Sequence, residues 1–428
     1  MASSPRGAAS RRWFLKGLAA SGAAALYAPR VRGQQPAHVV VVGGGFAGAS
    51  CARTLKRLGP ELAVTLIEPS LRFTACPFSN PVIAGLREMD AQQFGYDALR
   101  RDGVAVVSQA AVAVDAESRH VTIADGTVFS YQRLVMAPGI DLRFDATPGY
   151  DAVAAEAMPH AWKAGAQTLL LRRQLEAMDD GGVVVMSVPA SPYRCPPGPY
   201  ERASLIAHYL KTHKPRSKLI VLDAKDRFSK QGLFEAAWQS LYPGLLEWVS
   251  LSFGGQVTEV QPASMMLVTD FARHRADVAN VIPPQRAGAI ATAAGVADQT
   301  GWCPIDPVTF ESRLQPGIHV IGDAAIAGAM PKSAFAADSQ AKVCAAVIVD
   351  LLRDQVPSAQ KLVNTCYSLV APDYGISVAG VYHPRGGLLA EVEGAGGTSP
   401  ADAGPAFRLQ EARYAEAWFD TITTAVFG

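Results

Sequence analysis

The sequence predicts an α/β protein: two Rossmann-like, dinucleotide-binding-type domains followed by a C-terminal α+β domain. Three observations predict it. "HVVVVGGGFAGASCARTLKRLG" sets a β-branched run against a glycine-rich turn and a helix rich in small residues. "GGVVVMSVPASPYRCPPGPYERASLIAHYLKTH" repeats the strand, turn and helix in mid-chain, and "SKLIVLDA" adds the next strand. Residues 351–428 then hold a strand-like stretch, "NTCYSLVAPDYGISVAGVY", and a last helix, "RYAEAWFDTITTAVFG".

The first element lies ahead of the fold. "SRRWFLKG" (Ser10 to Gly17) has paired arginines, an aromatic close behind and a short small-residue run after it. This pattern looks like a twin-arginine export signal over residues 1–36, which places the mature chain in the periplasm. The apolar run is shorter than the roughly 20 residues that span a bilayer, and no later run is long enough, so no stable membrane insertion is expected.

The next element is the glycine turn, Gly43-Gly44-Gly45-Phe46-Ala47-Gly48, between a strand and a helix, with Glu68 ending the following strand. In that context G-x-G-x-x-G carries a mechanism. Gly43 makes the tight turn, Gly45 admits a pyrophosphate close to the backbone, and Gly48 lets the helix pack on the strand. The helix N-terminus supplies donors for phosphate oxygens, and Glu68 can accept from an unphosphorylated ribose. "YQRLVMAPGIDLRF" ends a strand at Gly139, and "PGIHVIGDAAIAGAMPKSAFAADSQAKVCAAVIVDLL" runs from a strand through Gly322-Asp323 into a long helix. These two stretches resemble the second and third signatures of the two-dinucleotide flavoprotein family. The resemblance implies FAD, with Asp323 on the flavin ribityl chain and the positive helix end at the flavin. Residues 37–150 and 285–350 then form one FAD-binding domain, and 151–284 a second domain inserted in it.

That second domain stands where pyridine-nucleotide disulfide reductases hold NAD(P)H. Its turn has lost the glycines. Cys195-Pro196-Pro197-Gly198-Pro199 replaces them, and two consecutive prolines remove backbone donors that a phosphate needs. The nicotinamide site is therefore read as degenerate, its turn given over to a redox cysteine.

Composition narrows the function classes. Net charge is +1 and charged residues are 18% of the chain, below the roughly 25% usual for soluble domains. There is no basic run for nucleic acid. Six cysteines include no C-x-x-C pair and no C-x-x-C-H, and the eight histidines form no cluster, so neither a metal nor a haem is expected on this chain.

"YRCPPGPYERAS", "IPPQRAG", "GWCPID", "NTCYS" and "APDYGISVAG" resemble the flavoprotein subunit family of flavocytochrome c sulfide dehydrogenase, from about Ala37 to Gly428. The resemblance implies sulfide as substrate, attack on an active-site disulfide, two electrons to FAD and single electrons onward to a c-type, dihaem cytochrome subunit. It implies Cys195 and Cys366 as the disulfide, Cys76 in "RFTACPFSN" as a covalent link to the flavin, Glu201 near the active site and Trp418 near the flavin. The letters around Cys76 depart somewhat from the family pattern. Two related readings stay open: a sulfide:quinone oxidoreductase-like enzyme, and the flavoprotein of the thiosulfate-oxidising system acting on a sulfur-carrier protein.

The residue types suit that chemistry. A sulfide anion attacking a disulfide yields a persulfide and a thiolate. A flavin takes two electrons together and gives them up singly. Glu201 can take a proton if burial raises its pKa, or it can simply favour a helix N-terminus. Cys51 and Cys344 read as buried helix residues and Cys303 stays open. Tyr414, Trp418, Ile422 and Val426 recur at i+4 as a core-facing stripe.

Overall fold

Four of the five residues of the strand His38–Val42 are valines, and all four are buried. Such a strand belongs inside a parallel sheet covered on both faces. It lies at the centre of a five-stranded parallel sheet in the order Ile318–Val320, Arg133–Met136, His38–Val42, Ala63–Ile67, Ala105–Val107. The computed structural model describes residue 1 and residues 36–428; the expected export signal lies outside the described residues.

A second parallel sheet runs Leu246–Val249, Lys218–Asp223, Val183–Val188, Val278–Val281. The chain enters and leaves it beside an antiparallel pair, Ile140–Leu142 with Gln285–Ala287. The strand-like stretch near the end is two strands, Leu362–Ala371 and Tyr374–Arg385, paired as a hairpin across Pro372-Asp373. Leu388–Glu391 and Gly397–Thr398 extend this antiparallel sheet. The sequence supports the split, since Pro372 cannot donate to a ladder and Asp373 favours a turn.

The helix Pro405–Phe427 covers the hairpin and reaches the first sheet. Arg53 ties down its end, donating to Ala425 O at 3.0 Å and Gly428 O at 3.1 Å. Phe427 stacks on Phe73 with ring centroids 5.1 Å apart. The stripe differs from the expected one. Tyr414 is 52% exposed, whereas Arg408, Glu411, Ala415, Phe419, Ile422 and Val426 are buried. The buried face follows the helical period, but its first half is small or charged and so carries little hydropathy signal. Cys51 and Cys344 are fully buried on the facing helices Phe46–Leu58 and Ala334–Leu352, as expected of free cysteines.

Candidate active site

The glycine turn opens a cleft at the C-terminal end of the first sheet. A Cβ on Gly43, whose φ is +101°, would lie 2.2 Å from Ala137 O, and one on Gly48 would lie 1.8 Å from Gly43 O. Packing therefore demands glycine at both. Gly45 differs: the closest atom to a Cβ there is Phe73 Cε2 at 3.4 Å, and the position lines the cleft. Its missing side chain leaves room for a ligand at the N-terminus of the helix Phe46–Leu58. On the other side of the turn, Gly43, Glu68 and Asp141 line a second cleft. The Glu68 carboxylate accepts from Gly44 N at 2.8 Å and Ser70 N at 2.9 Å.

The first cleft encloses about 1290 Å³ of empty space, and Cys76, Gly139, Cys195, Glu201, Asp323, Cys366 and Trp418 all line it. Every expected residue except Gly43, Gly48 and Glu68 thus meets in one place, and those three form the turn and the neighbouring cleft. Asp323 Oδ1 is buried without a partner, and burial raises its carboxyl pKa. An unpartnered buried oxygen calls for a donor. A flavin with its ribityl hydroxyls at Asp323 and its pyrophosphate at the Gly43–Gly48 turn satisfies it, so the residues fit FAD. Trp418 lies parallel to Phe335, at 10° and 6.1 Å. Cys76 Sγ sits 3.8 Å from Trp162 O.

Cys195 and Cys366 come from different sheets and share the cleft wall as free thiols; the disulfide implied by the resemblance is not formed in this structure. Cys195 adopts a left-handed φ of +57°, and its N–H donates to Lys332 O at 2.7 Å. Burial, then the neighbouring Cys366 and Glu201, push the Cys195 thiol well above its ordinary range.

Glu201 is more than a helix-end carboxylate. It leaves the first turn of the helix Gly198–His213 and accepts from Leu369 N at 2.8 Å and Asn80 Nδ2 at 2.7 Å. Burial raises its pKa, and those two donors only partly oppose the rise. Asn80 Oδ1 in turn accepts from Arg202 Nε at 3.0 Å. Arg202 is 2% exposed, donates to His160 O, Asn280 Oδ1 and Ala161 O, and lies 4.9 Å from the Trp162 ring centroid. Burial brings its pKa down to about 9.

Sequence reasoning missed Asn80, Arg202, Lys230 and Asn364. Asn364 and Arg202 lie inside quoted motifs, where an amide or guanidinium beside a candidate cysteine or acid was an available signal. Lys230, between a strand and a helix, resembled any surface lysine, yet its ammonium is buried and donates to Cys366 O at 2.9 Å and Ser368 Oγ at 2.8 Å. Cys303 is buried beside Lys332, and burial pushes it up to about 12.

The degenerate reading of the second domain has a physical basis. Asp223 ends the strand Lys218–Asp223, where a dinucleotide-binding unit keeps its ribose-binding acid. Here it is fully buried and accepts from Tyr200 Oη at 2.6 Å, Trp248 Nε1 at 3.0 Å and Lys225 Nζ at 2.5 Å. Tyr200 stacks on Phe228 at 3.6 Å. The acid is spent on the protein itself.

Comparison with known proteins agrees with this division. Residues 37–173 match the pyridine nucleotide-disulphide oxidoreductase family model. Residues 168–283 match the central region of the sulfide dehydrogenase [flavocytochrome c] flavoprotein chain, and residues 358–427 its flavin-binding region. A curated flavoprotein chain of that name from Chlorobaculum thiosulfatiphilum is 61% identical over 45 residues, 10% of this chain and 94% of that one. The chain belongs to the flavocytochrome c sulfide dehydrogenase flavoprotein family. FAD is accordingly the cofactor that its cleft is built for. Mitochondrial sulfide:quinone oxidoreductase of Mus musculus is 23% identical over 305 residues, 67% of this chain and 65% of that enzyme, just under two thirds of its length. Among solved structures, sulfide:quinone oxidoreductase from Aquifex aeolicus superposes with a TM-score of 0.73 at 18% identity, covering 91% of this chain and 92% of that one. A ferredoxin reductase from Rhodopseudomonas palustris gives 0.63, also at 18%, over 80% and 82%. Both show the shared fold.

Proposed function

We propose that this flavoprotein oxidises sulfide in the periplasm through a Cys195–Cys366 disulfide and hands electrons to a separate c-type, dihaem cytochrome subunit. One observation carries the reading: two cysteines from different domains and a buried carboxyl converge on the cleft that fits FAD. When bound, FAD supplies a two-electron acceptor that releases electrons singly. The protein's own residues do the rest. The Cys195 loop and the hairpin strand hold the two sulfurs, Glu201 takes the proton of the incoming sulfide, and Trp418 and Phe335 wall the cleft. Cys76 is the attachment point for the flavin. Family membership supports sulfide as substrate and a cytochrome as partner.

Cys195→Ser and Cys366→Ser test it. Each is expected to keep fold and FAD and to lose sulfide-dependent flavin reduction. Retained turnover in both, with only a lowered melting temperature, would leave the pair a structural role and sink the proposal. The likeness to sulfide:quinone oxidoreductases supplies the second reading. Among the described residues no helix is long and apolar enough to cross a membrane. Turnover with cytochrome c and none with a soluble quinone analogue favours the first reading; the reverse favours the second.

A further inference from the structure

The two sulfurs of the cleft sit in unequal surroundings. Cys366 Sγ lies 3.3 Å from Asn364 Nδ2, which donates to it. The two residues are two apart on the strand Leu362–Ala371, so their side chains share a face. The amide is turned for this contact. Ser333 Oγ accepts from Ala336 N at 3.0 Å and donates to Asn364 Oδ1 at 2.6 Å, which leaves the amide nitrogen facing the sulfur.

Lys230 adds a full charge. It is buried, holds a left-handed φ of +61°, and its three protons go to Cys366 O, Ser368 Oγ and, at 3.4 Å, Ile376 O. A strained, buried ammonium is thereby fixed to the residue that carries the sulfur. Cys195 has no such donor: its backbone is engaged by Lys332 and Gly198, and among the described residues no hydrogen bond reaches its Sγ. The other charged or titratable groups around the pair are Glu201, Arg194 and Tyr382, and Glu411 faces Lys230.

We propose that Asn364 and Lys230 make Cys366 the sulfur that takes the negative charge when the Cys195–Cys366 bond opens, and so direct an incoming hydrosulfide to Cys195. The inference rests on the sulfide-oxidising reading above. In the step, the hydrosulfide sulfur bonds to Cys195 Sγ while the Cys195–Cys366 bond breaks, and its electron pair leaves on Cys366. The sulfide sulfur is oxidised, the Cys366 sulfur is reduced, and the hydrosulfide proton remains on the new persulfide. Exchange is fastest when the departing sulfur is the better-stabilised thiolate. Asn364 touches a reacting atom and is a catalytic residue in this scheme. Lys230 acts through its charge and the Cys366 backbone and is a positioning residue. Burial of Cys195, which disfavours its thiolate, fits the same assignment.

Alkylation of the reduced, FAD-loaded protein by iodoacetamide at neutral pH, with the sites mapped by mass spectrometry, tests the assignment. Cys366 is expected to react about tenfold faster than Cys195, the ratio for one pKa unit between them. Lys230→Met and Asn364→Ala should each slow Cys366 about tenfold and move its pH–rate profile to higher pH, and Lys230→Arg should restore it. A merely structural role would lower the melting temperature without moving that profile. Cys195 reacting first, or an unmoved Cys366 profile in Asn364→Ala, overturns the proposal. If Lys230→Met does not fold, the wild-type order and Asn364→Ala still decide. Sulfide added stoichiometrically to the oxidised protein should leave its persulfide on Cys195; a persulfide on Cys366 also overturns the proposal. A persulfide on neither overturns the sulfide reading instead, and the alkylation order then judges the charge assignment alone.

Discussion

Glu201→Gln separates the two roles open to that side chain. The carboxylate meets a donor at each oxygen, Leu369 N–H at 2.8 Å and Asn80 Nδ2 at 2.7 Å. A glutamine keeps the shape but offers one oxygen, so its amide nitrogen must face one of these donors. Asn80 cannot turn over to repair the contact, because its Oδ1 already accepts from Arg202 Nε. One buried donor loses its partner, at a cost of about 1–3 kcal/mol. Relief of a buried carboxylate offsets part of this, which leaves a net destabilisation on the order of 1 kcal/mol. The pH dependence has a definite sign. Burial raises the folded pKa of Glu201 above its unfolded value, so the folded state holds the proton longer. Wild-type stability from this group is therefore greatest below the ordinary carboxylate range and is lost as pH rises through the folded pKa. The glutamine variant lacks that slope. If Glu201 also accepts the sulfide proton, the variant loses roughly 10²–10⁴-fold in the rate of sulfide-dependent flavin reduction. Thermal unfolding across pH and rapid-mixing reduction read the two effects separately. A variant with wild-type stability, pH slope and reduction rate would refute both the geometry and the role.

Gly48→Ala places a Cβ 1.8 Å from Gly43 O, between two backbones that cannot part, and should yield protein without flavin; normal flavin absorbance after purification would contradict the packing argument. Cys76→Ser should release its flavin to the supernatant on acid denaturation while the wild type keeps it in the pellet, and release from the wild type would remove Cys76 as the link. NADH should leave the flavin oxidised, because Asp223 is sealed by Tyr200, Trp248 and Lys225; rapid bleaching at micromolar NADH would show a working nicotinamide site.

The dinucleotide turn was legible because its residues answer to backbone constraints that spacing alone reveals. Gly43 needs a positive φ, Gly48 a close contact and Asp323 a strand end, and all three stand where the motif put them. The two cysteines were legible through resemblance only, since nothing in a linear sequence says that a mid-chain loop and a C-terminal hairpin meet. The polar frame around them was not legible at all. Asn80, Arg202, Lys230 and Asn364 come from four different elements, and each looks ordinary among its own neighbours. Their roles exist only after packing has withdrawn water from them. The final helix failed more mildly: its buried face includes Arg408 and Glu411, paired to each other at 3.4 Å, which hydropathy scores as a solvent face.

The second domain shows why a phosphate-binding turn suits a thiol. A turn between a parallel strand and a helix opens at the C-terminal edge of its sheet, where ligands of such sheets sit. The prolines stiffen that turn, and the bond from Cys195 N to Lys332 O holds its left-handed backbone in place. Such strain persists only where the surroundings over-determine it. Phe78, Ala161, Cys195 and Lys230 all carry positive φ, and Phe78 and Cys195 line the cleft itself. The packing that closes the nicotinamide site also helps to fix the new one. Tyr200 occupies Asp223 and stacks on Phe228, which anchors the first turn of the helix Gly198–His213. Glu201 is the next residue on that turn, and with Tyr200 turned into the second domain it points the other way, to Asn80 and Leu369. One tyrosine thus removes the acid that a nicotinamide nucleotide would need and aims the acid that a sulfide would meet.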